Sequence, residues 1–594
     1  MSIKRFLKLN STTIIWLIVF SWVCIIGSSR HWEKNLISND VVSYYGYLPA
    51  AIIHHDIKLD FIVGHDEYAG KYWPENAPNG GRVIKTTMGL SFLYLPFFLT
   101  GHAIAKVFDY PADGYSAPYL ILMLLSCLFY LVIGFHFLRK LLLIFFTDGI
   151  TSLTMASVFF GTNLLWYATF DGLMSHAYLF TILIVFIYLV VKWHQEQQLK
   201  TAILIGLSGG LMTLIRPTMI VCFVIFALYS VYDKQSFTAK LKQLTGRPFH
   251  LVIIALCAFI VLLPQLAYWK YITGNFFFFS YVGERFYWNN PHIIEGLIGF
   301  RKGWLLYTPI MVFAIAGVFY MRKNVPEFLL SVAILLPLLI YVFFSWWAWW
   351  YGGSFGLRAF VDYYGLLAIP LASFYTQAFQ AKFKKIKWVV ATAAFLLIFL
   401  NMFQTWQFNK GLIHYDSMTK ESYILGFGMK HHTAEWYDAL EAPDYNRARK
   451  GISETYSEEE IKNITAANQI RFKGFNNLFV TCEIAGRKEL TSTRNEPSEW
   501  ETFSFVPLGN NKVAIKVADG NYISAETEMT DKLYGNKPEI GSQETFELIY
   551  LGNNRFALKA ANGKYVHVNS KDPFLLKVNA KSIGKREKLR IYIN

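Results

Sequence analysis

Apolar residues recur in runs of about 15 to 22 positions through the first two thirds of the chain, and near residue 470 the rhythm changes to alternation. Read as helices, the runs place spans near 12–29, 117–137, 150–167, 176–192, 201–215, 217–232, 250–268, 303–320, 327–344, 359–379 and 388–405, about eleven in all. The run 89–108 is nearly long enough to cross but carries Pro96, Gly101 and His102. After residue 405 the chain turns polar and mildly acidic, with a short helix predicted over 454–463. Alternation then appears in Ile470-Arg-Phe-Lys, Val513-Ala-Ile-Lys and Phe556-Ala-Leu-Lys, at a spacing of 43 residues. Glu501, Glu544 and Glu587 keep the same offset. Three copies of about four strands predict a threefold all-β module.

Charge decides how the ambiguous run is read. If 89–108 does not cross, Arg139/Lys140, Lys192 to Lys200, Lys234 to Arg247, Arg322/Lys323 and Lys382 to Lys387 all lie on the side of the N-terminus, as the positive-inside rule asks. If it crosses, all of them move outside. The expectation is therefore a re-entrant or interfacial helix 89–108 within an external loop 30–117. A hairpin tip at Arg216-Pro217 is expected outside as well, and so is everything after residue 405.

Composition agrees with a multi-pass α-helical membrane protein: 54% of residues are hydrophobic, 18% are aromatic and mean hydropathy is +0.31. The formal charge of +15 does not point to nucleic acid, because the basic residues sit largely in short loops between spans. Cys24, Cys127, Cys222 and Cys257 lie in apolar runs and only Cys482 lies outside them, which excludes a disulfide framework or a zinc motif. Lys4, Arg5 and Lys8 precede a run too long for a signal-peptide core, so a retained first span with its N-terminus inside is expected. No Walker loop, HExxH, GxSxG or dinucleotide fingerprint occurs in a supporting context.

The candidate chemistry gathers in the external segments. Asp40 follows the first span in Asn-Asp-Val-Val-Ser-Tyr44, where it is either a helix N-cap over the amides of Val42 and Ser43 or a base. Lys85, with Arg82 as its alternate, is either a phosphate ligand or a snorkelling cation. Segment 345–358 packs four tryptophans before Gly352-Gly-Ser-Phe-Gly356 and ends on Arg358. It reads as an interfacial belt, or as a backbone free to approach a ligand beside a bidentate cation. Glu284, next to Arg285 among aromatics, suits sugar hydroxyls or a surface patch. His176 opens a span from outside, as a ligand contact or a satisfied helix-end histidine. Asp66-Glu67 is a rival acidic pair in a Gly-rich stretch that looks like a solvated turn.

Asp40, Lys85, Arg358 and the span pattern together resemble the GT-C superfamily of membrane glycosyltransferases, including protein O-mannosyltransferases and bacterial lipid A aminoarabinose transferases. Residues 1–405 carry this resemblance, although the Lys-Pro-Pro segment of the aminoarabinose branch lacks its prolines here. Residues 465–594 resemble the fascin-like branch of the β-trefoil fold, with 406–468 as linker or cap.

The resemblance implies transfer of a sugar from a polyprenyl-phosphate carrier to a glycan, lipid or protein acceptor on the periplasmic face of the inner membrane. It implies Asp40 as catalytic base and Lys85, with Arg82 as alternate, and Arg358 as phosphate-binding residues; Glu284, His176 and Tyr44 join them as expected substrate-binding residues. No metal ligands are assigned; a divalent cation, Mg or Mn, is the cofactor the superfamily suggests. Membrane lipids are the other expected partner. The readings from other classes are a lipid or polysaccharide transporter, which wants charges at mid-span, and a membrane-anchored glycan-binding protein, for which eleven spans exceed the need.

Overall fold

Among the described residues, seven helices are long and apolar enough to cross a membrane: Ser11–Ser28, Gly89–Val107, Ala117–Phe145, Ser175–Glu196, Pro248–Thr273, Pro326–Phe344 and Lys384–Asn409. They mark the chain as a membrane protein. The structure is a computed structural model that describes residues 10–452, 458–465, 469–483, 488–526, 530–552, 555–571 and 573–593. It divides into two units, Met1–Met418 and Thr419–Asn594.

Six of the expected spans are among these long helices, a seventh, 201–215, is the shorter unbroken helix Leu199–Ile215, and the other four are built from shorter pieces. The run 150–167 becomes Asp148–Phe160 and Leu164–Ala168, interrupted at Gly161. Leu199–Ile215 stops where Pro217 follows Arg216, and the continuation is a 3-10 turn, Pro217–Cys222, and a short helix, Phe223–Leu228. Pro309 separates Trp304–Tyr307 from Met311–Asn324. The run 359–379 begins as a 3-10 helix, Arg358–Tyr363, that leads directly into Tyr364–Gln380.

The run 89–108, expected to be re-entrant or interfacial, is one continuous helix of 19 residues. At 1.5 Å per residue it reaches about 28 Å, close to the thickness of a hydrocarbon core. Its three apparent breakers have other uses. The carbonyl of Pro96 accepts the Thr100 hydroxyl at 2.8 Å, Gly101 lies against the backbone of Tyr119, and His102 bonds the Tyr119 hydroxyl.

The second unit opens with short helices and, from Ile470 on, the elements of its described residues are β-strands apart from a 3-10 turn at Glu499–Glu501. Its strands fall into three groups of four: Ile470–Lys473 to Ser504–Gly509, Lys512–Lys516 to Phe546–Gly552, and Arg555–Ala560 to Leu589–Ile593. The last strand closes on the first, with Ile593 opposite Ile470. Each group begins with the same turn. Asn477, Gly520 and Gly563 hold φ of 62°, 92° and 76°, and their amides donate to Gly474, Val517 and Ala560 at 3.0, 3.0 and 2.9 Å. The preceding Asn476, Asp519 and Asn562 side chains accept from the amide two residues on. Glu501, Glu544 and Glu587 each accept the amide three residues before them, at 2.7, 2.8 and 2.7 Å. The inward set of each alternating strand, such as Ile470, Phe472, Val513, Ile515, Phe556 and Leu558, forms one shared core. Burial of each such side chain contributes about 1.5–3 kcal/mol, which no single repeat could collect alone.

Residues 406–418 go with the membrane unit, and 419–452 go with the β unit. Within the latter, Trp436 is buried and Glu441 pairs with Arg555. The helix predicted over 454–463 is Glu458–Thr465, and residues 453–457 lie outside the described ones.

Candidate functional site

Helix Asp40–Leu48 begins at Asp40 itself, with Asn39 as its N-cap in a conformation of positive φ. No side chain caps this helix, so the N-cap reading of Asp40 is replaced by another contact. The Asp40 carboxylate accepts the Arg358 guanidinium at 2.9 Å, across 318 positions of sequence. Arg358 is mostly buried and Asp40 is nearly half exposed. Burial alone would lower the Arg358 pKa, but Asp40, together with Tyr167 and Tyr44, brings it above the usual value. Tyr44, one turn on from Asp40, is buried, and its hydroxyl lies 3.5 Å from Ser175 Oγ.

Lys85 stands just after the strand Arg82–Ile84 and is held by two carboxylates, Glu284 at 2.6 Å and Glu75 at 3.6 Å. Its ammonium also lies 5.3 Å from the centre of the Tyr281 ring. The second oxygen of Glu284 accepts the Trp347 indole N–H at 2.9 Å. The loops that carry these residues are laced together by backbone bonds, Tyr287 N–H to Ser345 at 2.6 Å and Trp347 N–H to Arg285 at 3.1 Å. Trp347, Trp349 and Trp350 are accordingly buried and brace this junction instead of forming an exposed belt.

The Gly-rich segment does less for a ligand than its sequence suggests. Gly356, with φ of 56°, sits so close to Tyr307 that a Cβ would come within 2.9 Å of that side chain. Ser354 is buried, its amide bonded to the Tyr415 carbonyl at 3.1 Å and its own carbonyl taken by Lys302. Lys302 is only 1% exposed and also donates to the Tyr415 carbonyl. Burial pushes its pKa well below the usual lysine value, with Asp416 opposing. A buried amine thus clamps the turn that delivers Arg358.

His176 is buried, and its Nδ1–H donates to Asp362 at 2.7 Å. The other oxygen of Asp362 accepts Arg216 at 2.6 Å. Arg82 is not brought to this cluster: its guanidinium holds Asp60 and the Leu59 carbonyl. Asp66 and Glu67 lie in a short exposed 3-10 turn where Glu67 pairs with His65 at 3.1 Å, apart from the other candidates. Asp171 is bonded by the Trp166 indole at 2.7 Å, and burial raises its pKa while Arg358 lowers it and Asp40 raises it further. Among the described residues no group of three or more His, Cys, Asp or Glu side chains could hold a metal ion.

Arg216, Asp362 and Lys302 were not singled out from the sequence. Asp362 carried a usable signal, an ionisable residue inside an apolar run. Arg216 stood at the predicted hairpin tip, and Lys302 had no distinguishing mark. Chemically, the arrangement offers a half-exposed carboxylate and two side-chain cations, Arg358 and Lys85, each already neutralised by an acid. The far end of helix Asp40–Leu48 and its continuation, with Gly89–Val107 and Pro248–Thr273, enclose an apolar groove of about 460 Å³ lined by Leu48, Met88, Phe92, Leu95, Pro264 and Tyr271 among others.

A domain family described only as a domain of unknown function, DUF7910, matches residues 462–589. No curated protein matches the chain in sequence. Among solved structures, a designed threefold symmetric protein, ThreeFoil, is 16% identical, covering 21% of this chain and 96% of its own, with a TM-score of 0.20. The BEL β-trefoil is 12% identical over 21% of this chain and 93% of its own, also with a TM-score of 0.20. The protein O-mannosyltransferase Pmt1-Pmt2 complex of S. cerevisiae, bound to the sugar donor, is 10% identical over 98% of this chain and 63% of that chain, with a TM-score of 0.24.

Proposed function

We propose that this protein is an integral-membrane glycosyltransferase that moves a sugar from a polyprenyl-phosphate carrier to an acceptor hydroxyl on the external face of the inner membrane, and that its C-terminal unit is a β-trefoil. The observation that carries the reading is the Asp40–Arg358 ion pair at 2.9 Å, at the start of a helix whose other end, Tyr47 and Leu48, lines an apolar groove. A phosphate with a long apolar tail suits that combination, since cations meet the head and the groove takes the first part of the tail.

In the reaction the acceptor O–H gives its proton to the Asp40 carboxylate, and the acceptor oxygen forms a bond to the sugar carbon. The bond from that carbon to the phosphate oxygen breaks with its electrons going to the phosphate. Arg358 and Lys85 stabilise the charge that develops there. One displacement inverts the sugar carbon. Arg358 rests on Asp40 and Lys85 on Glu284, so a phosphate that binds these cations exchanges partners with both. Arg358 thereby leaves Asp40 and the base is released only once the donor is seated. Glu284, freed from Lys85 and still held by the Trp347 indole, turns to the sugar hydroxyls, while His176, buried on Asp362, acts behind the site.

The test is transfer of labelled sugar from a polyprenyl phosphate to acceptor by purified protein, compared among wild type, Asp40→Asn, Lys85→Ala and Arg358→Ala. Loss of transfer with retained donor binding in Asp40→Asn, and loss of donor binding in the other two, is the expected pattern. Full transfer by correctly folded Asp40→Asn would remove Asp40 from the mechanism.

A further inference from the structure

We infer that Arg216 is a further phosphate-binding guanidinium of the same site, set in place by Asp362; this rests on the reading that the protein binds a polyprenyl-phosphate donor. Asp362 is fully buried and spends both oxygens, one on His176 Nδ1–H at 2.7 Å and one on Arg216 Nη1 at 2.6 Å. A carboxylate anchored on both sides cannot swing away, so it fixes the plane of the Arg216 fork. The other terminal nitrogen, Nη2, reaches Ser175 Oγ at 3.3 Å, and Ser175 in turn lies beside the Tyr44 hydroxyl. A guanidinium has five N–H groups, and these two contacts use one on each terminal nitrogen. About a fifth of the side chain remains exposed, 22%.

Two neighbours tie this fork to the residues already assigned to the phosphate. On one side, Asp362 stands four residues after Arg358 on the same 3-10 helix, Arg358–Tyr363. That helix therefore fixes the Asp40 pair at its start and the Arg216 pair near its end. On the other side, the backbone just before Arg216 packs on the segment that carries Lys85. The Thr87 hydroxyl donates to the Ile215 carbonyl at 3.3 Å, and Gly89 approaches so closely that a Cβ would stand 2.5 Å from the Ile215 nitrogen. Arg216 thus lies between the Lys85 segment and the Arg358 helix, and it counts against the charge of Arg358. Like charges held this near favour an anion between them.

The contrast between the two acids assigns different tasks to the two arginines. Asp40 is nearly half exposed, whereas Asp362 is sealed and doubly bonded. Phosphate can take Arg358 from Asp40, but it can only add to Arg216 through N–H groups that Asp362 does not use. Arg358 is the exchanging cation and Arg216 the stationary one.

The experiment measures binding of sugar-free polyprenyl phosphate to purified full-length protein in detergent. Arg216→Gln leaves Asp362 without its guanidinium and risks misfolding, so the decisive variant is the double change Arg216→Gln with Asp362→Asn, which removes both charges together. The expected result is binding weakened about tenfold or more in the double variant, with a melting temperature close to that of wild type, and intermediate binding in Arg216→Lys, which keeps the charge and loses the fork. Wild-type affinity in the double variant, with Lys85→Ala and Arg358→Ala weakened, overturns this inference alone. No binding by wild type overturns the glycosyltransferase reading beneath it.

Discussion

At the scale of single residues, the site is a set of acids and bases already satisfied by one another. Asp40→Asn keeps the size of the side chain and a hydrogen bond to Arg358 but cannot accept the acceptor proton. Turnover is expected to fall by about 10²-fold or more with donor affinity little changed, read by labelled-sugar transfer beside a donor-binding isotherm. In the β unit, Glu501 is buried, which by itself raises a carboxyl pKa, yet its bonds from the Ser498 hydroxyl and amide and the nearby Arg494 bring it below the usual value. A depressed folded pKa means the unfolded chain binds the extra proton first. The stability it contributes is present above about pH 4.3 and is lost as pH falls through the folded pKa. Melting temperature should therefore drop between pH 6 and pH 3, less steeply in Glu501→Gln; identical slopes would assign Glu501 no part. The residues legible from sequence were those in unusual company, Asp40 after a span and Arg358 after a tryptophan cluster. Arg216 and Lys302 stayed hidden because an arginine before a proline and a lysine before an apolar run look like ordinary end-of-span cations, and only burial distinguishes them.

At the scale of elements, the long spans were readable because about 20 apolar residues in a row have few other uses. The shorter pieces were not, because a break at Gly161, Pro217 or Pro309 costs little when neighbouring helices and side chains satisfy the freed backbone groups. In helix Gly89–Val107 the residues that look like breakers on paper are packing residues in the fold. Gly89 is the sharpest case, since its Cα lies against the Leu214 and Ile215 backbone and a Cβ would come within 2.6 Å of the Leu214 carbonyl carbon. Gly89→Ala is expected to cost about 1–3 kcal/mol through overpacking, seen as a lower melting temperature, and to weaken donor binding because the Lys85 segment must shift with it. Unchanged stability would mean that the two segments part easily.

At the scale of the whole molecule, the basic clusters predict that the β unit faces outward, whereas a crossing by Gly89–Val107 would reverse that count. An impermeant thiol reagent applied to intact cells should label a cysteine placed in 470–594; protection until lysis would sink the outward assignment. The threefold pattern was legible because its three copies share a fixed spacing, but the attachment of 419–452 was not, because Glu441 and Trp436 carry no repeat signal. A fragment 419–594 should melt at least about 5 °C above a fragment 465–594, since removing Glu441 strands the partly buried Arg555. Equal melting would reduce the clasp to a surface contact. The pairing of Ile593 with Ile470 carries a further consequence. The beginning and end of the repeat array emerge side by side, so the array has no privileged starting point. A circular permutant opened at the Asn510-Asn511 turn, with 593 joined to 470 by a few residues, retains every strand pair, and such a module can be spliced into a loop of another protein as readily as it follows the helices here.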